Sequence, residues 1–138
     1  MQKAMKNANT DLKPHTPLKG TDPFFLIALV PWRDYHNPMR VIALSTLKSF
    51  WESNPAYSDA IDPTLAWYRH TLKADWASPA EIKQDFRNAS ILKDGRVVFN
   101  IAGEKYRLVV WINYAYRIVY IRFIGTHSQY DQIDVETI

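Results

Sequence analysis

Three consecutive alternations of apolar and polar residues constrain the fold of this chain more than any other feature. They run over Arg96–Ile101, Tyr106–Asn113 and Arg117–Ile124. A period of two predicts β-strands with one apolar face. Asp94-Gly95 and Ala102-Gly103-Glu104 mark tight turns, so strands joined by such short links must be antiparallel. The sequence therefore predicts a β-meander in the second half of the chain.

Helical patterns precede the meander. Ser45 is a candidate cap for a helix ending near Ser53, Asp62-Pro63 is placed to open a second helix, and Ser78 with Glu81 resembles a capping box. Two further short strands are predicted, at Arg40–Leu44 and Ser90–Lys93. Helices followed by a meander predict an α+β fold, with helices on one face of a mostly antiparallel sheet and the other face partly open.

The first 38 residues differ in composition from the rest of the chain. Five of the eight prolines lie before Met39, and residues 1–22 are polar and aperiodic, which is typical of disorder. The apolar run Pro23–Trp32 is shorter than the roughly 20 residues of a membrane helix, and it lacks a signal-peptide cleavage pattern. We predict that residues 1–38 are a leader, from a mis-assigned translation start, or a flexible N-terminal extension, and that residues 39–138 form one domain.

Composition excludes several kinds of site. The chain has no cysteine, which excludes disulfides, thiolate metal sites and cysteine nucleophiles and fits a cytoplasmic protein. Four glycines do not form a phosphate-binding loop, and the motifs HExxH and GxSxG are missing. We therefore predict no metal and no other cofactor.

Positive charge is concentrated in one stretch. Residues 69–122 hold ten Lys or Arg against five Asp or Glu. A cationic face attracts a polyanion such as RNA, although a solvated surface without a partner has the same pattern. The candidate RNA-binding residues in this stretch are Lys93, Arg96 and Lys105.

Two arginines lie inside strands whose other residues are mostly apolar. Arg107 and Arg122 fall in the second and third alternations, which are neighbours in a meander. A charged group there must be solvated on an open face or paired. These strands contain no carboxylate, so the two guanidinium groups are suited to bind a phosphate. The alternative is that each arginine forms an ion pair with an acidic residue from another part of the chain.

The end of the last strand carries reactive side chains. His127 follows Gly125-Thr126, with Tyr130 and Asp131 three and four residues further on. Histidine titrates near neutrality and acts as a general acid or base, and on a short helix Asp131 would lie beside it. RNA cleavage by the substrate's own 2′-OH needs a base, an acid and cations at the phosphate, and His127, Arg107, Arg122 and Tyr130 can supply them. The alternative is that these residues have only a structural role, in capping a short helix and packing it against the domain.

The segments VVFNIAGEKYRLVV and IVYIRFIGTHSQYD resemble HigB-type toxins of type II toxin–antitoxin modules, within the RelE-like mRNA interferase superfamily. The resemblance extends upstream through MRVIALSTLKSFWE and covers residues 39–138. It implies a RelE-like α+β fold with a short C-terminal helix. It also implies a cytoplasmic, metal-independent mRNA endonuclease that acts by 2′-OH attack, is associated with the ribosome and inhibits translation.

The resemblance also implies partners and roles. The partners are a HigA-type helix-turn-helix antitoxin, mRNA with the ribosome, and operator DNA through the antitoxin only; no membrane is implied. Arg107 matches a phosphate-contacting position, and His127 matches the catalytic basic position. Tyr130 and Asp131 match a segment that often keeps an active-site tyrosine or acid, and Arg122 is a further catalytic candidate.

Two other functions stay open on the sequence. One is a non-catalytic RNA- or protein-binding module with a RelE-like fold, which the aromatic residues of the predicted sheet favour: Trp111, Tyr114, Tyr116 and Tyr120. The other is a degenerate toxin whose leader blocks the site.

Overall fold

The structure is a computed structural model, and it describes residues 37–138. The predicted leader, apart from its last two residues, lies outside the described residues. Met39 is buried in the core, and its backbone N–H donates to the carbonyl of Ala74. Within residues 37–138, no helix has the length and apolar composition needed to cross a membrane.

Five strands form a single sheet in the order β1-β5-β4-β3-β2. They are β1 (Arg40–Ile42), β2 (Ser90–Ile91), β3 (Arg96–Ile101), β4 (Tyr106–Asn113) and β5 (Ile118–Thr126). β2 to β5 pair antiparallel as a meander, which confirms the predicted alternations, whereas β1 pairs parallel with β5. A parallel pair requires a long crossover, and the helices between β1 and β2 are part of it.

The helices are α1 (Leu44–Glu52), α2 (Ile61–Lys73), α3 (Pro79–Asp85) and α4 (His127–Tyr130), with a 3-10 helix over Pro55–Ala60. The starts of α1 and α2 were both predicted two residues late, because their N-caps are Ala43 and Ala60. Asp62-Pro63 falls in the first turn of α2 because the 3-10 helix already directs the chain into it. Ser78 precedes α3 without a side-chain cap, and Glu81 instead accepts from the N–H of Ala77.

The main core lies between the helices and one face of the sheet. Leu47, Trp67 and Ile82 from α1, α2 and α3 are almost completely buried there. They pack with the apolar residues that the alternation of β3 and β4 predicts to face inward: Val97, Phe99, Ile101, Tyr106, Leu108, Val110 and Ile112. The expected α+β architecture is confirmed, because a period of two assigns these residues to one face.

A β-bulge changes the predicted facing of β5. Val109 is opposite Phe123 and Val110 is opposite Ile121, so Arg122 is an extra residue without a partner on β4. Strict alternation placed Ile124 on the same side as Arg122, but in the structure Ile124 packs against the core. One inserted residue shifts the facing of everything beyond it, which accounts for the error.

The sheet face opposite the helices, here called the outer face, carries Arg96, Val98 and Asn100 of β3 and Arg107, Val109 and Trp111 of β4. Val98 and Val109 are buried although they lie outside the main core. The C-terminal segment crosses this region, because Tyr130 lies at Arg107 and the carbonyl of Ile138 accepts from Arg96. The outer face is therefore partly covered.

Candidate active site

The helical turn α4 holds the reactive residues that follow β5. Thr126 caps it: its hydroxyl accepts from the N–H of Gln129 at 3.2 Å, and the Gln129 side chain accepts from the N–H of Thr126 at 2.8 Å. The N–H of His127 also donates to the carbonyl of Lys105 beside β4. A helix of four residues has little intrinsic stability, so these bonds fix its position on the sheet.

His127 and Asp131 form a pair one helical turn apart. The Nδ1 atom of His127 lies 3.1 Å from a carboxylate oxygen of Asp131, and both side chains are about half exposed. An ionised carboxylate only accepts, so the Nδ1–H donates to it. In the neutral imidazole, the lone pair is then on Nε2, which is the nitrogen left for a substrate proton.

Arg107 lies on the outer face near the start of β4, the central strand of the sheet, with Asn100 directly opposite on β3. The amide oxygen of Asn100 accepts from its guanidinium, and the ring of Tyr130 lies 5.7 Å from the guanidinium carbon. The Nε of Arg107 is buried without a hydrogen-bond partner, and within residues 37–138 no carboxylate lies within ion-pair distance. The guanidinium of Arg107 therefore has N–H groups without a hydrogen-bond partner among the described residues.

Tyr130 connects the two parts of the site. Its ring contacts Arg107, and it belongs to the same turn as His127. Gly125, the residue opposite Arg107 on β5, leads into that turn. The structure therefore brings Arg107, His127, Tyr130 and Asp131 together at one end of the sheet. This group is called the Arg107–His127 site below.

Two residues of this arrangement were missed by the sequence reasoning. Asn100 orients Arg107, and counting residues through the Ala102-Gly103-Glu104 turn would have placed them opposite each other. Gln129 completes the cap of α4, and its signal is the spacing Thr-x-x-Gln.

Gly125 allows α4 to lie close to the sheet. A Cβ atom on Gly125 would come within 2.6 Å of the Phe123 ring and 2.7 Å of the Gln129 amide oxygen. Gly125→Ala would therefore push the Gln129 amide away from the N–H of Thr126 and weaken the cap that holds α4. We expect this substitution to lower the free energy of unfolding by about 1–3 kcal/mol. It should also reduce activity much more than a matched control substitution does.

Gly103→Ala is that control. Gly103 has a positive φ of 71°, but no atom lies within 4 Å of an added Cβ, so the substitution strains the turn without touching α4. Thermal unfolding and a toxicity assay of both variants test the prediction. Equal activity in the two variants would show that the packing of α4 at Gly125 is not required for activity.

Arg122 is not part of the Arg107–His127 site. It is exposed on the bulge of β5, and its guanidinium carbon lies 6.0 Å from the Trp111 ring and 5.8 Å from the Tyr120 ring. Its side chain therefore contacts a different part of the outer face.

The three candidate RNA-binding residues all have protein partners. Lys105 forms an ion pair with Asp59, and its hydrogen bond, followed by that of Tyr106, lowers the pKa of the Asp59 carboxyl. Arg96 donates to the carbonyl of Ile138 at 2.9 Å, and Lys93 lies 3.5 Å from Glu136. Binding of RNA by these side chains would have to displace or share those contacts.

In residues 37–138, no three His, Cys, Asp or Glu side chains are grouped so as to hold a metal ion. The chemistry that the described groups offer is proton transfer at His127 and charge stabilisation at Arg107.

The family model of the HigB toxin, a RelE-like toxic component of a toxin–antitoxin system, matches residues 60–133. This chain belongs to the HigB toxin family. No curated protein matches it at a significant level. As a HigB toxin, the protein is the toxic component of a toxin–antitoxin system and has an antitoxin as its partner.

The match covers more than half of the chain and includes every candidate site residue of this HigB toxin. It also agrees with the observed α+β architecture, in which helices pack on a mostly antiparallel sheet that ends in a short helix. The matched range is shorter than the region in which the sequence resembles HigB toxins, since residues 39–59 and 134–138 lie outside it.

Proposed function

We propose that this HigB toxin is an endoribonuclease that cleaves mRNA by attack of the substrate's own 2′-OH on the adjacent phosphate. The observation that carries the proposal is the contact of Arg107 with Tyr130. Arg107 has no carboxylate partner among the described residues, and Tyr130 belongs to the same helical turn as His127. A phosphate at Arg107 would therefore lie near an imidazole that is open to solvent.

His127 is proposed as the general base. With the Nδ1–H donated to Asp131, the Nε2 lone pair accepts the proton of the 2′-OH. The 2′-oxygen then bonds to phosphorus, and the bond from phosphorus to the 5′-oxygen breaks. The leaving oxygen takes a proton from water, and the hydroxide that remains takes the proton from the His127 imidazolium. The products are a 2′,3′-cyclic phosphate and a 5′-OH. The nucleophile is already in the substrate, so the step needs no metal ion.

Arg107 is proposed to stabilise the phosphate as negative charge develops on it. A planar guanidinium matches two phosphate oxygens at once. The site is partly shielded, with Tyr130 over the guanidinium, and this strengthens the attraction compared with bulk water. Bound phosphate would use guanidinium N–H groups other than the buried Nε and the one that donates to Asn100.

Asp131 is a positioning residue in this mechanism. It holds the ring of His127 in one tautomer and stabilises the imidazolium that forms when the proton is accepted. Tyr130 covers Arg107 and is placed where it can contact the substrate backbone.

The proposal extends to the cellular setting. Cleavage of mRNA would inhibit translation in the cytoplasm. Residues 69–122 contain ten Lys or Arg and only five Asp or Glu, and this positive charge supports association with ribosomal RNA. The antitoxin is proposed to be a HigA-type helix-turn-helix protein, through which the complex reaches operator DNA.

Induced expression in cells without the antitoxin tests the proposed function. The wild type is expected to arrest growth and to deplete full-length mRNA, because no other component is needed for the chemistry. Intact growth and intact mRNA would contradict it. Binding of RNA or ribosomes without 5′-OH fragments would support the non-catalytic binding module instead.

A further inference from the structure

A second cluster on the outer face is not used by the proposed cleavage. Trp111 and Tyr120 lie opposite each other on β4 and β5, with ring centres 5.3 Å apart and planes inclined by 33°. The guanidinium of Arg122 lies about 6 Å from both rings. We call these three residues the aromatic platform.

The fold positions this cluster in a defined way. The register of the two strands places the rings together, and the bulge adds Arg122 on the same side. Trp111 is fixed further by the bond from its Nε1 to the carbonyl of Asp94, at 2.8 Å. Its ring is therefore held in place before any ligand arrives.

Trp111 of the platform differs from the other tryptophans of the described chain. Trp51, Trp67 and Trp76 are at most 9% exposed, whereas Trp111 and Tyr120 are only partly buried. Arg122 is exposed, and within residues 37–138 no carboxylate lies within ion-pair distance of it. Its guanidinium donates no hydrogen bond to another residue of this range, so its N–H groups are available to an anion.

We propose that the aromatic platform binds an unpaired base of the same RNA strand whose phosphate is held by Arg107. This inference rests on the proposed function. Every base has a flat face that stacks on aromatic rings, and arginine adds to such stacking while it contacts the backbone. The platform therefore recognises single-stranded RNA with little preference for sequence.

The distance along the sheet fits one RNA strand. Arg107 and Trp111 are both on the outer face of β4 and four residues apart, which corresponds to about 13 Å. A strand of RNA that follows β4 and β5 would reach both places. Arg122 has no ion-pair partner in the part of the chain that the structure describes. Its positive charge favours a polyanion over an apolar protein segment, since the centres of protein interfaces are usually poor in charge.

Tryptophan fluorescence tests the platform directly. The protein should carry His127→Ala so that the RNA stays intact, and the probe is a short single-stranded RNA oligomer. We expect the RNA to quench Trp111, and Trp111→Leu to remove the quenching and weaken binding roughly 5- to 100-fold. A blunt duplex RNA of the same length should cause little quenching, because its bases are already stacked.

Two further variants separate stacking from damage to the fold. Trp111→Phe keeps a ring and should retain most of the affinity. Tyr116→Leu removes a ring that is 76% exposed in the turn between β4 and β5, outside the platform, and should bind as the parent does. Equal weakening by Tyr116→Leu and Trp111→Leu would overturn the proposal.

The results also separate this proposal from the proposed function. With His127 present, Trp111→Leu should raise the KM for RNA with little change in kcat. Quenching by RNA in a protein that never cleaves would support the platform and contradict the nuclease. Cleavage with an unchanged KM in Trp111→Leu would overturn the platform and keep the nuclease. Quenching by the antitoxin but not by RNA would also overturn it, and would assign this surface to protein binding.

Discussion

Arg107→Ala is expected to reduce RNA cleavage by about 10²- to 10³-fold, the usual effect of losing one preorganised group that stabilises developing charge. The fold should survive, because Arg107 is on the outer face and forms no ion pair within the described residues. The lost contacts are one hydrogen bond to Asn100 and the stacking with Tyr130. Together they are worth about 1–2 kcal/mol.

Two matched variants make the Arg107 prediction specific. Arg107→Lys keeps the charge but loses the planar fork, so its activity should lie between wild type and Arg107→Ala. Arg69→Ala removes an exposed arginine from α2, outside the Arg107–His127 site, and should cleave as wild type does. Cleavage rates with a defined RNA, together with thermal unfolding, provide the measurement. Wild-type cleavage by a folded Arg107→Ala protein would exclude this arginine from the site.

His127→Ala is expected to reduce kcat by about 10²- to 10⁴-fold, the range that general acid–base catalysis contributes. Asp131→Asn should have a smaller effect, about 10-fold, since an amide oxygen still accepts from Nδ1–H but carries no charge to stabilise the imidazolium. In both variants the KM should change little, because neither group is proposed to bind the ground state. Single-turnover cleavage separates kcat from binding.

The chain contains a natural control for His127. His70 on α2 forms a similar pair with Asp85, at 2.9 Å, and about half of its side chain is exposed. In His70→Ala, the Asp85 carboxylate still accepts from Trp76 Nε1, so the fold keeps that bond. His70→Ala should therefore retain kcat. An equal loss of kcat in both histidine variants would indicate damage to the fold and contradict the role assigned to His127.

The sequence predicted the parts of the fold that depend on local pattern. The alternation in β3 and β4, with Asp94-Gly95 and Gly103 at the turns, determines both the strands and their inward faces. The bulge at Arg122 was not predictable in this way. Ile121, Phe123 and Ile124 are all apolar, so the hydrophobic pattern is compatible with either register.

Contacts between distant residues account for the other differences. Lys105 was a candidate RNA contact, but its partner Asp59 lies 46 residues earlier in the chain, in the 3-10 helix. The contact between Arg96 and Ile138 joins residues 42 apart, and it places the C-terminal segment on the outer face. Neither contact follows from periodicity or propensity, because both depend on how the elements pack.

Only part of the candidate site could be read from the sequence. The spacing of His127 and Asp131 predicts neighbours on a helix, and the structure places them so. Arg107 and Arg122 were expected to lie near each other on adjacent strands. In the structure they contact different rings, Tyr130 for Arg107 and the Trp111–Tyr120 pair for Arg122, and Arg122 lies at a bulge that strict alternation does not predict.

The chemistry of the RNA ends tests the central claim most directly. Purified toxin should be incubated with a short RNA and with the same RNA carrying a 2′-deoxy sugar at the mapped cleavage position. The account predicts a 2′,3′-cyclic phosphate and a 5′-OH from the first RNA, and no cleavage at that position in the second. Cleavage of the deoxy substrate at the same position, or products with a 5′-phosphate, would contradict it.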